Sequence, residues 1–364
     1  MLYFLLYELT WLRSQMSGLN VVRYITVRTA AAAITALALS LILGPWLVRK
    51  LREFQVGQII RQDGPDSHMA KAGTPTMGGL LILTATLVPT LLWANLRNPY
   101  VWIAVLTTLA YGAIGFADDY LKIVRKSHDG LLPRYKMANQ IVVGIAVGIA
   151  LLVLQGKGLY NTRLVFPFFK RLIPDLGWAY LPFTVLFLVW WSNAVNLTDG
   201  LDGLAISTTA IAAATYTALA YVIGNRVLAD YLYVLHLPPI GELTVFGGSL
   251  VGASLGFLWY NSYPAEIFMG DVGSLALGAG LATMAMLIKQ ELLLFIIGGV
   301  FMLEGLSVVI QVASFKMTGR RVFKMAPLHH HFEKSGWSEP KVISRFVIVG
   351  ILFALFSLAS LKLR

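Results

Sequence analysis

The 364-residue chain is predicted to be an all-α polytopic membrane protein with about ten transmembrane helices. Three observations predict it. Apolar residues make up 57% of the chain and charged residues 13%, about half the charged share of a soluble domain. The apolar residues gather in separate runs of about 20, the length that crosses a hydrocarbon core as a helix. Lysine and arginine fall mainly in alternate loops, the pattern that orients membrane helices. The net charge of +11 would suggest nucleic acid in a soluble chain. Here basic loops account for it, and no nucleic-acid partner is expected. With no cysteine, disulfide and thiolate chemistry is excluded.

Met1 to Asn20 has a broken apolar run and no small-residue cleavage pattern, so it reads as an interfacial helix leading into the first span. The spans follow as Val21–Val48, Thr76–Ala94, Tyr100–Phe116, Tyr135–Leu154, Gly177–Asn193, Leu204–Ile223, Glu242–Leu258, Val272–Ile288, Leu292–Phe315 and Val342–Leu361. The outer loop Gln155 to Tyr180 carries Gly156, Gly158, Pro167 and Pro174 around Leu164-Val165-Phe166, which suits a small hairpin. Fixed-length repeats and low-complexity linkers are missing, so residues 1–364 are expected to form a single integral-membrane domain.

An even number of spans puts both termini on one face. The loops after the first, third, fifth, seventh and ninth spans then share the other. Among these are Arg49, Lys50, Arg52, Arg61 and Lys71, then Lys122, Arg125, Lys126, Arg134 and Lys136, then Lys316, Arg320, Arg321, Lys324, Lys334 and Lys341. That face is therefore expected to be cytoplasmic and the termini periplasmic. Lys157, Arg163, Lys170 and Arg171 on the opposite side soften the bias without reversing it.

The same parity brings the polar clusters to the cytoplasmic face. Asp118 and Asp119 end the third span, with Lys122 placed one helical turn on to pair with one of them. Asn193 to Gly203 holds Asn193, Asn196, Thr198, Asp199 and Asp202, and Gly200 and Gly203 let backbone approach a ligand closely. Asp199 and Asp202 have the spacing of one face of a helical turn. Phe268-Met269-Gly270-Asp271 places one carboxylate at a helix start. Pro327-Leu328-His329-His330-His331 forms a histidine loop.

Each cluster has a plainer reading. Asp199 and Asp271 could be helix N-caps, the Asp118 pair a solvated helix end, Lys71 a surface charge and the histidines a solvated loop. Taken together the carboxylates favour chemistry, because ionisable groups at membrane depth are costly. Two carboxylates about 4 Å apart repel by roughly 4 kcal/mol at an effective dielectric near 20, so such a cluster takes up protons or binds a cation. Hard oxygen ligands without cysteine point to magnesium or manganese rather than zinc. The chain has neither a Walker loop nor a dinucleotide fingerprint.

At these motifs the chain resembles the phospho-N-acetylmuramoyl-pentapeptide transferases, a family of the polyprenyl-phosphate N-acetylhexosamine-1-phosphate transferases. The specific pieces are Gly73 to Gly79, Asn193 to Gly203, Phe268 to Leu277 and Ala326 to His331. The resemblance implies transfer of phospho-MurNAc-pentapeptide from UDP-MurNAc-pentapeptide to undecaprenyl phosphate. Lipid I and UMP would form, with Mg²⁺, in the bacterial inner membrane, as a homodimer. It implies Asp271 as the principal Mg²⁺ ligand, with Asp118, Asp119, His330 and His331 in the catalytic set. It also implies phosphate contacts from Lys71, Lys122 and Lys136, with Thr76 of the span-two motif beside them. The nucleoside region would take Asn193, Asn196, Asp199, Gly200, Leu201 and Asp202, with Phe268 stacking on uracil, Asn261 and Gln311 supporting it, and His329 more structural. Two alternatives stay open: a sister transferase using UDP-GlcNAc, and an ion-coupled transporter with carboxylates as relays.

Overall fold

The computed structural model describes residues 1–8, 17–54, 73–125, 130–169 and 172–361. We number its α-helices in chain order: α1 (Ile25–Glu53), α2 (Gly79–Trp93), α3 (Pro99–Val124), α4 (Pro133–Gly156), α5 (Tyr180–Thr198), α6 (Leu204–Gly224) and α7 (Arg226–Leu232). Then come α8 (Leu243–Asn261), α9 (Gly270–Leu287), α10 (Leu294–Ile297), α11 (Gly299–Thr318), α12 (Leu328–Glu333) and α13 (Glu339–Ser360). Among the described residues, nine helices are long and apolar enough to cross a membrane; α2, with 15 residues, is a shorter apolar helix.

Each expected span falls on a helix, with two informative departures. The third was expected to stop at Phe116 but continues to Val124, so the helix runs on through Asp118 and Asp119 and past Lys122. The ninth is divided, a short α10 being separated from α11 at Gly298. Of the expected interfacial helix, Phe4–Glu8 forms a wide helical turn and Ser17–Arg23 a 3₁₀ segment; the stretch between lies outside the described residues. The outer hairpin is minimal. Arg163 bridges Asp175 in antiparallel fashion, and the Leu164 N–H donates to the carbonyl of Pro174 at 2.9 Å.

Helix α9 is the hub: every residue from Asp271 to Leu287 is buried. It packs against α2, α3, α5 and α6. Helices in lipid gain little from hydrophobicity and associate through close packing of small residues. The α1–α8 pair follows that rule. Ala32, Ala36, Ser40 and Gly44 recur at every fourth position of α1 and are buried. Gly248, Gly252 and Gly256 of α8 lie against Thr29, Ala33 and Ser40 of α1, and a Cβ on Gly252 would lie 2.1 Å from the carbonyl oxygen of Ala33.

The far end of α9 enters a buried polar knot. Lys289, Gln290 and Glu291 are each at most 1% exposed. Lys289 pairs with Glu291, which also accepts the Tyr180 hydroxyl at 2.6 Å. Tyr160 donates to the carbonyl of Met286, and Tyr216 to that of Gln290. Both ends of the hub helix are thus fixed by polar contacts.

Candidate active site

Antiparallel helices bring the C-terminal ends of α3, α5 and α11 to the same side as the N-terminal ends of α4, α9 and α13. The expected polar clusters all sit at this end. Asp118 and Asp119 come from α3, Lys136 from α4 and Asp271 from the first turn of α9. They meet because α3 and α9 touch at backbone distance. A Cβ on Gly115 would lie 2.1 Å from the carbonyl oxygen of Asp271, and one on Gly79 would lie 2.0 Å from the nitrogen of Gly273. The segment before α2 adds a second brace. Phe268 N–H donates to the carbonyl of Pro75, Gly78 N–H to that of Phe268, and Gly79 N–H to that of Met269. The span-two motif therefore holds the strand-like lead into Asp271.

Asp118, Asp119 and Asp271 are buried, and one oxygen of each lies within 4.8 Å of the others. Lys122 Nζ reaches Asp271 at 2.7 Å, Asp118 at 2.8 Å and Asp119 at 3.3 Å. The expectation that it pairs with one of the two α3 carboxylates is corrected, since its long stem folds back between both. Lys136 Nζ reaches Asp271 at 2.9 Å and Asp118 at 3.3 Å. Main-chain donors complete the cluster: Leu131 N–H to Asp118, and Val272 N–H to Asp119. Three carboxylates against two ammonium groups leave a deficit of one positive charge. An all-carboxylate oxygen set suits a hard cation such as Mg²⁺, which needs few protein ligands.

The turn between α5 and α6 abuts this cluster. Asp199 and Asp202 do not share a helical face, because α5 ends at Thr198 and the chain turns through Gly203, at φ 79°, before α6. Asp199 is not an N-cap, and neither is Asp271, whose helix begins with Gly270. Asp199 accepts the Gly270 N–H, and its carboxyl is pushed up to about 8 by burial and then by Asp271, Asp119 and Asp202. Asp202 N–H donates to Glu339, and the Asp202 carboxylate accepts from Ala265 N–H. Leu201 is buried with Leu204 and Val342.

Several expected nucleoside residues are engaged by the fold. Asn261 accepts from Gly203 N–H and donates to the carbonyl of Ile267, stapling two turns. Asn193 donates to Gln140, and Asn196 accepts from Ser274. Gln311 accepts from Val322 and Phe323 N–H and donates to the Phe323 carbonyl, closing the loop after α11. Phe268 is half-buried with its main chain pinned, and Thr76 lies beside Gly270. Lys71 lies outside the described residues.

The histidines occupy α12. His329 is fully buried, while His330 and His331 are half-buried. His330 contacts Glu333 at 2.8 Å, and His331 Nδ1 accepts from Lys324 N–H at 3.1 Å. His329 lies against Gly200, where a Cβ would be 2.2 Å from its Nε2. A continuous path of contacts therefore runs from the aspartates through Asp199 and Gly200 to α12. Glu304, Glu339 and Gln140 support these elements and were not singled out from sequence. For Glu304 a signal existed: it is an ionisable residue inside an apolar span.

Comparison with known proteins agrees with this geometry. The family model for glycosyl transferase family 4 matches residues 101–289, and signature 1 of phospho-N-acetylmuramoyl-pentapeptide-transferase matches residues 71–83. Relatives named phospho-N-acetylmuramoyl-pentapeptide-transferase align over the whole of both chains. Those of Koribacter versatilis and Acidobacterium capsulatum are each 56% identical, and that of Desulfatibacillum aliphaticivorans is 57% identical. With more than half its length inside the glycosyl transferase family 4 match, and relatives of that name 56–57% identical along its whole length, the chain belongs to the phospho-N-acetylmuramoyl-pentapeptide-transferase family.

Proposed function

We propose that the chain transfers phospho-MurNAc-pentapeptide from UDP-MurNAc-pentapeptide to undecaprenyl phosphate, giving lipid I and UMP. This is the first membrane step of peptidoglycan synthesis. The observation that carries the reading is the meeting of Asp118, Asp119 and Asp271 with Lys122 and Lys136 at one end of membrane helices. A lipid acceptor demands a site at a membrane face, and two phosphorylated substrates demand cations. The basic-loop bias supports a cytoplasmic placement of that face with periplasmic termini, and the lack of a sequence repeat or linker supports a single domain over residues 1–364. Family resemblance supports a homodimer in the bacterial inner membrane.

Asp271, with Asp118 and Asp119 beside it, would hold Mg²⁺. Bound there, Mg²⁺ supplies charge neutralisation for a diphosphate. Lys122 and Lys136, now spread over three carboxylates, are placed to grip phosphate oxygens. Phe268 offers a face for uracil beside the 199–203 turn. His330 and His331 stand beside the diphosphate and sugar.

A phosphate monoester has a second pKa near 6, so the lipid phosphate is mostly dianionic at neutral pH. One of its oxygens forms a bond to the β-phosphorus, and the bond from that phosphorus to the bridging oxygen breaks. UMP leaves with the electron pair. Asp118 orients the acceptor rather than attacking. In support, Leu131 N–H occupies one of its oxygens and the two lysines the other.

The test is UMP release by the purified chain in detergent with undecaprenyl phosphate. UDP-MurNAc-pentapeptide should be turned over in the presence of Mg²⁺ and not after chelation. UDP-GlcNAc should not be turned over. Equal rates with both UDP-sugars would favour the sister-transferase reading instead.

A further inference from the structure

Glu304 is a carboxylate in the middle of the molecule's apolar mass. It sits on α11 and is completely buried. A charged group at that depth is retained only when its partners are specific. Both of its oxygens point at one residue. Oε1 accepts the main-chain N–H of His329 at 3.2 Å, and Oε2 faces His329 Nδ1 at 3.1 Å. A carboxylate only accepts hydrogen bonds, so Nδ1 carries the proton, and the lone pair of a neutral ring is left on Nε2.

That Nε2 is buried and has no hydrogen-bond partner among the described residues. It is aimed at Gly200, close enough that any side chain there would collide. Gly200 in turn joins Asp199, which takes the N–H of Gly270 beside Asp271, to Asp202, whose N–H is held by Glu339. The ring of His329 is therefore the wall against which the 199–203 turn is set, and Glu304 sets the ring.

We propose that Glu304 is a positioning residue for the nucleotide-sugar end of the site. It acts through His329, fixing both the ring's orientation and its Nδ1–H tautomer. The turn carrying Asp199 and Asp202 thereby keeps its distance from Asp271. The same contact fixes the start of α12, since the His329 N–H is an otherwise unsatisfied first-turn donor, and so fixes where His330 and His331 emerge. This rests on the reading of the Asp271 cluster as the active site.

The conservative variant separates positioning from bulk. Glu304→Gln keeps size but presents one acceptor and one donor to a residue that offers two donors, its main-chain N–H and its ring Nδ1–H. We expect kcat/KM for UDP-MurNAc-pentapeptide to fall about tenfold to a hundredfold, as small misplacements do. The KM for undecaprenyl phosphate and the thermal midpoint should stay near wild type. Glu304→Asp, which keeps the charge, should recover part of the loss. Protein labelled with ¹⁵N-histidine gives a direct signature, assigned by its disappearance in His329→Asn. Wild-type His329 should show a protonated Nδ1 and a bare Nε2, and Glu304→Gln should change it.

Wild-type kinetics in Glu304→Gln overturn the proposal, as does a wild-type spectrum with the proton on Nε2 alone. Equal losses for both substrates that track loss of folded protein also overturn it. If Glu304→Gln does not fold, the wild-type spectrum and Glu304→Asp still decide. Asp271→Asn is run alongside. An active Asp271→Asn removes the site reading and this proposal with it. An inactive one beside a normal Glu304→Gln removes the positioning role alone.

Discussion

Phe268 shows how much one residue can be asked to do when its main chain is already fixed. Its N–H and carbonyl are held by the segment before α2, so the ring can be removed without releasing Asp271 three residues on. Stacking of a base on an aromatic ring is worth about 1–3 kcal/mol. Phe268→Ala should therefore raise KM for UDP-MurNAc-pentapeptide roughly fivefold to a hundredfold, with KM for the lipid unchanged. Steady-state kinetics with each substrate varied in turn checks this, and parallel rises in both would remove the stacking role. At this scale the sequence was legible where chemistry is rare: carboxylates at membrane depth declared themselves. It was not legible where an amide could serve either ligand or backbone. Asn261 and Gln311 have the donors and acceptors a nucleoside wants, yet both are engaged by main-chain groups brought near only by the fold.

Between elements, the decisive contact is α3 against α9. Gly115 leaves no room for a methyl group, because the carbonyl oxygen of Asp271 fills the space. Gly115→Ala must push the helices apart, and overpacking of this kind costs about 1–3 kcal/mol. The larger effect should be on rate, as Asp271 moves away from Asp118 and Asp119. We expect activity to fall by at least about tenfold, with the Mg²⁺ concentration for half-maximal rate shifted upward. A magnesium titration of the purified variant reads it, and an unchanged titration would mean that the cluster tolerates a looser α3–α9 contact. Helix identity was legible from runs of apolar residues, and the ends were not. α3 continues through Asp118 and Asp119, with Lys122 one turn on and paired with both. The break at Gly298 was hidden because both flanks are equally apolar.

The whole molecule depends on α9 being held at both ends, and the end remote from the site is the more exposed to test. Removing one partner of a buried ion pair strands the other, at a cost of about 3–5 kcal/mol, whereas replacing both can be close to neutral. Lys289→Met should lower the thermal midpoint in detergent markedly, and adding Glu291→Leu should restore much of it. A double variant no better than the single would show that the pair contributes through Tyr160 and Tyr180 rather than through charge. This knot was missed from sequence because Lys289 and Glu291 sit at a predicted span boundary, where charges are ordinary. Only the packing of the outer hairpin and of α6 over them makes them interior.

The length of α9 also sets how far apart its two polar ends lie. From Asp271 to Lys289 the chain spans about 27 Å at 1.5 Å per residue, and Ser274 and Thr283 are the only polar side chains on the way. All residues of α9 in that interval are buried. A diphosphate bearing a sugar and a peptide therefore meets no polar step along α9 between the aspartates and the Lys289–Glu291 pair, and the hub helix keeps the two polar ends of the molecule chemically apart.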